Sequence, residues 1–277
     1  MSKFDKRGKR MFTQNHFIFL GITLAFMGLA FGLIYGLKPK FKTIFIVACV
    51  LCVASELTKT LSVMEFDWVP LVKGGKIIEE QYELVPFIRT QHLPLHLCSI
   101  QILFIFLVTF MKPDNKKRDL FLGFMYPTFI IGASLALLMP GTLSFTNPQS
   151  WQYFLYHGML VVLGIYIITS KEVNIRPKHY LTTLALLSSL AFASLYINSI
   201  FAHYTYDQAS NTFDLQYIPT FFYTMRSPVA FLFTFKEEWH WYLYLVVIIL
   251  LAFILIGLLY LPVFIKWLKQ RKHANKN

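Results

Sequence analysis

The stretch QHLPLHLCSIQ, residues 91–101, places two histidines and a cysteine at the start of an apolar run, and WQYFLYHGML, residues 151–160, places a third histidine inside another. An ionisable or reactive side chain is costly in hydrocarbon, so it normally faces a cavity or another polar group and marks function. A cysteine attacks as its thiolate, which forms readily only beside a base or a positive charge. Cys98 with His157 as its base is therefore a pattern for acyl transfer through a thioester. His92 and His96 have the four-residue spacing of a helical zinc pair, but Pro94 fits the first turn of a helix and so leaves His92 outside it. No HExxH glutamate accompanies them and no G-x-S-x-G elbow appears, so neither a metal centre nor a serine hydrolase is expected, and no cofactor is implied.

The elements that must position these residues are membrane helices. Of 277 residues, 56% are hydrophobic and 14% charged, with a mean hydropathy of +0.53, whereas a soluble domain carries about 25% charged residues. Apolar runs at about 17–36, 41–63, 93–111, 119–140, 151–170, 180–202 and 239–265 approach the roughly 20 residues that cross a bilayer. The fold class read from this pattern is all-α, a polytopic transmembrane bundle of about seven spans. It comprises a basic N-terminal tail (1–16), a single membrane domain (17–265) and a basic C-terminal tail (266–277). Lys38-Pro39-Lys40, Lys112-Pro113-Asp114 and Pro140-Gly141 act as stops. The long run after the basic start lacks a small-residue cleavage site, which predicts a retained first span rather than a signal peptide.

The net charge of +12 does not indicate nucleic acid. Its bases gather in tails and short loops, where they set topology and meet anionic lipid headgroups. Lys38, Lys40, Lys42, Lys112, Lys116, Lys117, Arg118, Lys171, Arg176, Lys178 and the C-terminal tail share one side, and loops 64–92, 141–150 and 203–238 share the other. The positive-inside rule then puts the C-terminus in the cytoplasm of a cell-membrane protein, although the basic N-terminal tail argues the other way.

Relative depth is independent of that choice. At 1.5 Å per residue, Cys98 lies roughly 8 Å, His157 roughly 9 Å and Glu56 roughly 10 Å below the surface under the longer loops. His16, Asn198 and His203 fall near the same side. Singly, each has a plain structural reading: Cys98 as a small buried hydrophobe, His157 and Asn198 as interhelical hydrogen bonders, Glu56 and Lys59 as an ion pair. Together they form one layer, which scattered packing residues would not. His96 or Asn198 is a candidate oxyanion donor, Glu56 a candidate to orient His157 or bind a headgroup amine, and Gln101 a further supporting residue one turn beyond Cys98.

The segments LPLHLCSIQ, YFLYHGML, FTQNHF, SELTK and EEWHWYLYL together resemble the YwaF-type bacterial membrane proteins, a family related to eukaryotic transmembrane protein 164. The resemblance runs from about residue 12 to 265, and its most specific parts are the cysteine and histidine motifs. It implies a phospholipid acyltransferase that carries the acyl group on a cysteine assisted by a histidine, here Cys98 and His157. The expected partners are then a membrane phospholipid and a lysophospholipid, with the site near the outer leaflet. If water accepts the acyl group, the same site is a lipid hydrolase. The rival class is a transporter whose polar layer is a substrate pocket, against which stands the lack of internal repeats. Labelling of single cysteines placed at Lys116 and Gln149 should find the first cytoplasmic and the second outside; the reverse pattern would move the site to the inner leaflet.

Overall fold

The computed structural model describes residues 12–73, 76–139, 143–170, 172–207, 212–226 and 235–274. Seven helices make up the bundle: α1 (Gln14–Leu37), α2 (Phe41–Val63), α3 (Leu97–Phe110), α4 (Lys116–Leu138), α5 (Pro148–Thr169), α6 (Lys178–Ile200) and α7 (Glu238–Ala274). All except α3 are long and apolar enough to cross a membrane, so the chain is a multi-pass membrane protein. Their starts carry ordinary signals. The side chains of Asn115 and Asn147 accept the N–H groups of Lys117 and Gln149, both at 2.9 Å, and Pro148 supplies the preset φ of a first helical residue. Lys38 ends α1 in the left-handed conformation immediately before Pro39. The Pro140-Gly141 stop and the basic residues before Phe12 lie outside the described residues.

Three expectations change. The third span, expected over 93–111, is a helix of only 14 residues beginning at Leu97. Pro94 falls in the turn before it, because the chain enters through a single 3-10 turn at Thr90–His92 and turns again at Pro94–Leu95, where the Leu95 N–H meets the Leu93 carbonyl at 2.8 Å. The long loops carry antiparallel hairpins, β1 (Met64–Lys73) with β2 (Lys76–Ile88) and β3 (His203–Asp207) with β4 (Thr212–Tyr217). Finally, α7 continues to Ala274 through much of the segment read as a C-terminal tail.

The centre is the α4–α5 pair. α1 and α2 pack on α5, α3 bridges α2 and α4, and α6 and α7 pack on α4. Small residues permit these approaches, as helix association in lipid requires. A Cβ at Gly164 would sit 2.8 Å from Ile130 Cγ1 and 3.1 Å from the Tyr126 carbonyl oxygen, and one at Gly158 would meet Thr23 Cγ2 at 2.7 Å. Pro127, inside α4, has no N–H for the carbonyl of Gly123. That carbonyl instead accepts the Tyr260 hydroxyl at 2.9 Å and the Thr183 hydroxyl at 3.3 Å, which ties α7 and α6 to α4. Gly164→Val should therefore destabilise the bundle by about 1–3 kcal/mol through overpacking, read as a lowered unfolding midpoint in detergent. An unchanged midpoint would mean that α4 and α5 do not meet at Gly164.

Candidate functional site

The candidate site lies where the start of α3 meets the third turn of α5. Cys98 is the second residue of α3, so it sits in the first turn rather than the second, as a start near Leu93 had implied. His96 is the N-cap and gives α3 no side-chain hydrogen bond. The first-turn amides at Cys98 and Ser99 are therefore left without a capping side chain. The Cys98 sulfur lies against its own backbone amide.

α5 is fastened to this point by one tyrosine hydrogen bond. The Tyr156 hydroxyl donates to the Cys98 carbonyl at 2.7 Å, joining the turn that bears His157 to the residue proposed as nucleophile. His157 is 6% exposed, and its Nδ1 lies 2.6 Å from the Tyr153 carbonyl oxygen. A carbonyl can only accept, so Nδ1 carries the proton and Nε2 keeps its lone pair. The Tyr153 ring lies against the same imidazole, tilted by 49° at a centroid distance of 4.4 Å. Its own hydroxyl donates to the Ala136 carbonyl at 2.7 Å, and His16 Nε2 donates to the adjacent Leu137 carbonyl at 2.8 Å. The end of α4 is thus closed by side chains of α5 and α1.

A loop covers the other side. The 3-10 turn Phe221–Tyr223 packs the edge of the Phe221 ring on His96, with centroids 5.0 Å apart. Tyr153 and Tyr223 both fall within electrostatic reach of Cys98, and His96 within that of His157. Asn198, fully buried in α6, pins this turn: its Nδ2 donates to the Phe221 carbonyl (3.1 Å) and the Thr224 hydroxyl (3.0 Å), and its Oδ1 accepts the Phe221 N–H at 2.9 Å. Phe222 and Tyr223 both have positive φ, at 58° and 54°. Two successive non-glycine residues in that region store strain, which persists only where the surroundings enforce it.

The residues singled out from the sequence divide accordingly. His96 falls within electrostatic reach of His157, and Cys98 is joined to the turn of α5 that bears His157 through the Tyr156 hydroxyl. Asn198 spends its amide on the covering turn and is a positioning residue rather than an oxyanion donor. Glu56 pairs with Lys59 at 2.5 Å, and the contact that orients His157 comes from the Tyr153 carbonyl instead. Gln101 is buried one turn beyond Cys98, with Nε2 on the Thr128 hydroxyl at 2.8 Å and Oε1 unpartnered. His92 and His96 each direct Nε2 at Gln91, at 3.2 and 3.3 Å. Sequence reasoning missed Tyr153, Tyr156, Phe221 and Tyr223. The first two were accessible, since positions 153, 156 and 157 share one helical face.

Beside the site, an apolar groove of about 660 Å³ runs down the outer face of α3 from Pro94 and Ser99 through Leu103 and Phe106 to Phe110, with Glu56 at its polar end. No curated protein and no solved structure matches the chain. A profile of the TMEM164 family matches residues 11–260, a span that contains the Cys98 and His157 turns, both tyrosine contacts and the covering loop. The chain belongs to the TMEM164 family.

Proposed function

We propose that the protein is a phospholipid acyltransferase that carries the acyl group on Cys98 with His157 as its base. One observation carries this reading: the Tyr153 carbonyl fixes the His157 proton on Nδ1, and the adjacent Tyr156 ties that turn to Cys98. The free lone pair of Nε2 is what a thiol needs to lose its proton. The groove along α3 supports a lipid substrate, since it offers apolar walls for an acyl chain directly beside Ser99. By the charge rule the site belongs to the outer leaflet.

His157 Nε2 takes the Cys98 thiol proton, and the thiolate adds to the ester carbonyl of a phospholipid. The negative oxygen of the tetrahedral intermediate meets the uncapped first-turn amides of α3, whose dipole favours it. The ester C–O bond breaks, the leaving alkoxide takes the proton from His157, and a lysophospholipid departs. A second lysophospholipid hydroxyl gives its proton to His157, attacks the thioester, and regenerates the Cys98 thiol. The loop pinned by Asn198 shields the thioester from water, which favours transfer over hydrolysis.

Purified protein given labelled phospholipid should acquire a label that hydroxylamine removes. Cys98→Ser should abolish it, Cys49→Ala and Cys52→Ala should not, and His157→Gln should slow its formation by roughly 10² to 10⁴. A Cys98→Ala protein that remodels phospholipid at the wild-type rate would refute the mechanism. Asn198→Ala should leave the Phe221 N–H unpaired, its carbonyl keeping the Thr224 hydroxyl at 3.2 Å, at a cost of about 1–3 kcal/mol. Its expected signature is a larger share of acyl groups lost to water with the hydroxylamine-sensitive label retained. An unchanged transfer-to-hydrolysis ratio would show that the loop shields nothing.

A further inference from the structure

The opposite end of the bundle holds a buried cation that no described residue satisfies. Arg118 is the third residue of α4, and its N–H donates to the Asn115 carbonyl at 2.9 Å. Its side chain turns inward: Arg118 is 4% exposed, with the guanidinium carbon 4.6 Å from the centroid of Phe41. Phe41 opens α2 and is held from beneath by Phe45 and Tyr166, at 4.4 and 5.6 Å. One face of the guanidinium therefore rests on an aromatic platform, while its N–H edge needs an acceptor in the plane. Among the described residues Arg118 makes no ion pair or side-chain hydrogen bond, and its Nη1 is enclosed without a partner. A desolvated charge in that condition is strongly unfavourable until an anion joins it.

The surroundings specify the anion. Asp119 and Glu172 are the acids within electrostatic reach, and both stop short of ion-pair contact. Glu172 instead offers an oxygen to the Phe41 N–H over a long 3.4 Å. α2 has no side-chain cap at Lys40, so its first-turn amides and dipole also favour an anion at this point. Lys38, Lys40, Lys116 and Lys117 flank the same two helix starts and add positive potential. A planar guanidinium fork matches two oxygens of a phosphate, and two helix starts at one bundle end lie at headgroup depth.

We infer that Arg118, the first turn of α2 and the flanking lysines form a binding site for a phosphate oxyanion, with Glu172 as an internal anion that the phosphate displaces. The phosphate is that of a lipid headgroup in the leaflet on the basic-loop side, or a free phosphate ion. Neither source depends on the chemistry at Cys98.

The test uses the full chain in detergent, read by its thermal unfolding midpoint and by native mass spectrometry. The probes are phosphatidylglycerol, diacylglycerol and inorganic phosphate. Phosphatidylglycerol should raise the midpoint and diacylglycerol should not. Arg118→Gln should weaken phosphatidylglycerol binding about tenfold or more, the usual worth of a charge-assisted pair. Glu172→Gln should tighten it by removing the competing anion. Stabilisation by inorganic phosphate that Arg118→Gln removes would assign the site to the free ion; none would assign it to the lipid. Equal phosphatidylglycerol binding by wild type and Arg118→Gln would overturn the inference. Should Arg118→Gln fail to fold, Glu172→Gln decides alone: unchanged or weaker binding would show that Arg118 serves only as a distant partner of Glu172.

Discussion

Hydrocarbon offers a backbone carbonyl no water, so every carbonyl released from a helix ladder must be met by another part of the protein. The bundle answers with side-chain donors from neighbouring helices. Gly123, freed by Pro127, receives Tyr260 and Thr183; Ala136 and Leu137, at the end of α4, receive Tyr153 and His16. Cys98 and Tyr153 lie inside helices, and their carbonyls use a second lone pair to receive Tyr156 and His157. The Tyr156 bond joins α5 to α3 beside a thiol, and the His157 bond, within α5, fixes the proton on an imidazole, so side-chain donors to backbone carbonyls serve both the scaffold and the site.

This has a cost in polar side chains, and the sequence meets it with hydroxyls and rings rather than charges. A tyrosine reaches across a helix interface with one donor and buries a large apolar ring as it does so. Charges appear in the spans only where partnered or placed at an end. Glu56 and Lys59 neutralise each other near one surface, and Arg118 stands at the first turn of α4 near the other. The covering loop follows the same logic: Asn198 accepts the Phe221 N–H and, with the Thr224 hydroxyl, meets its carbonyl, while Phe222 and Tyr223 hold positive φ.

The long spans were legible because a run of about twenty apolar residues bounded by charged or helix-breaking residues, as α1 is by Lys38-Pro39-Lys40, has one physical solution in a bilayer. α2 begins and ends where its hydropathy does, at Phe41 and Val63. The start of α3 was not, since proline is as compatible with a turn before a helix as with its first residue, and Pro94 takes the former. The β1–β2 hairpin carried a usable signal in Gly74-Gly75 between runs rich in Val, Ile, Phe and Trp, which the reading of 64–92 as a loop did not use. Cys98 and His157 were visible as costly residues at a shared depth. The partner of His157 was not, because a backbone carbonyl leaves no mark in a sequence, and an acidic candidate such as Glu56 attracts attention in its place.

The brevity of α3 gives the membrane itself a part in the site. Fourteen residues rise about 21 Å, against a hydrocarbon core of roughly 30 Å. A segment that falls short of the bilayer is accommodated by local thinning, which draws the headgroup plane down toward the helix start. At α3 that start is Leu97 and Cys98. Under the proposed function, lipid ester groups would then descend to the thiol, and the mismatch energy would be set by the host membrane. The same protein in a thicker, more ordered bilayer would have to deform its surroundings further to present the same corner to a lipid, so bilayer thickness becomes a control on access that no residue of the chain encodes alone.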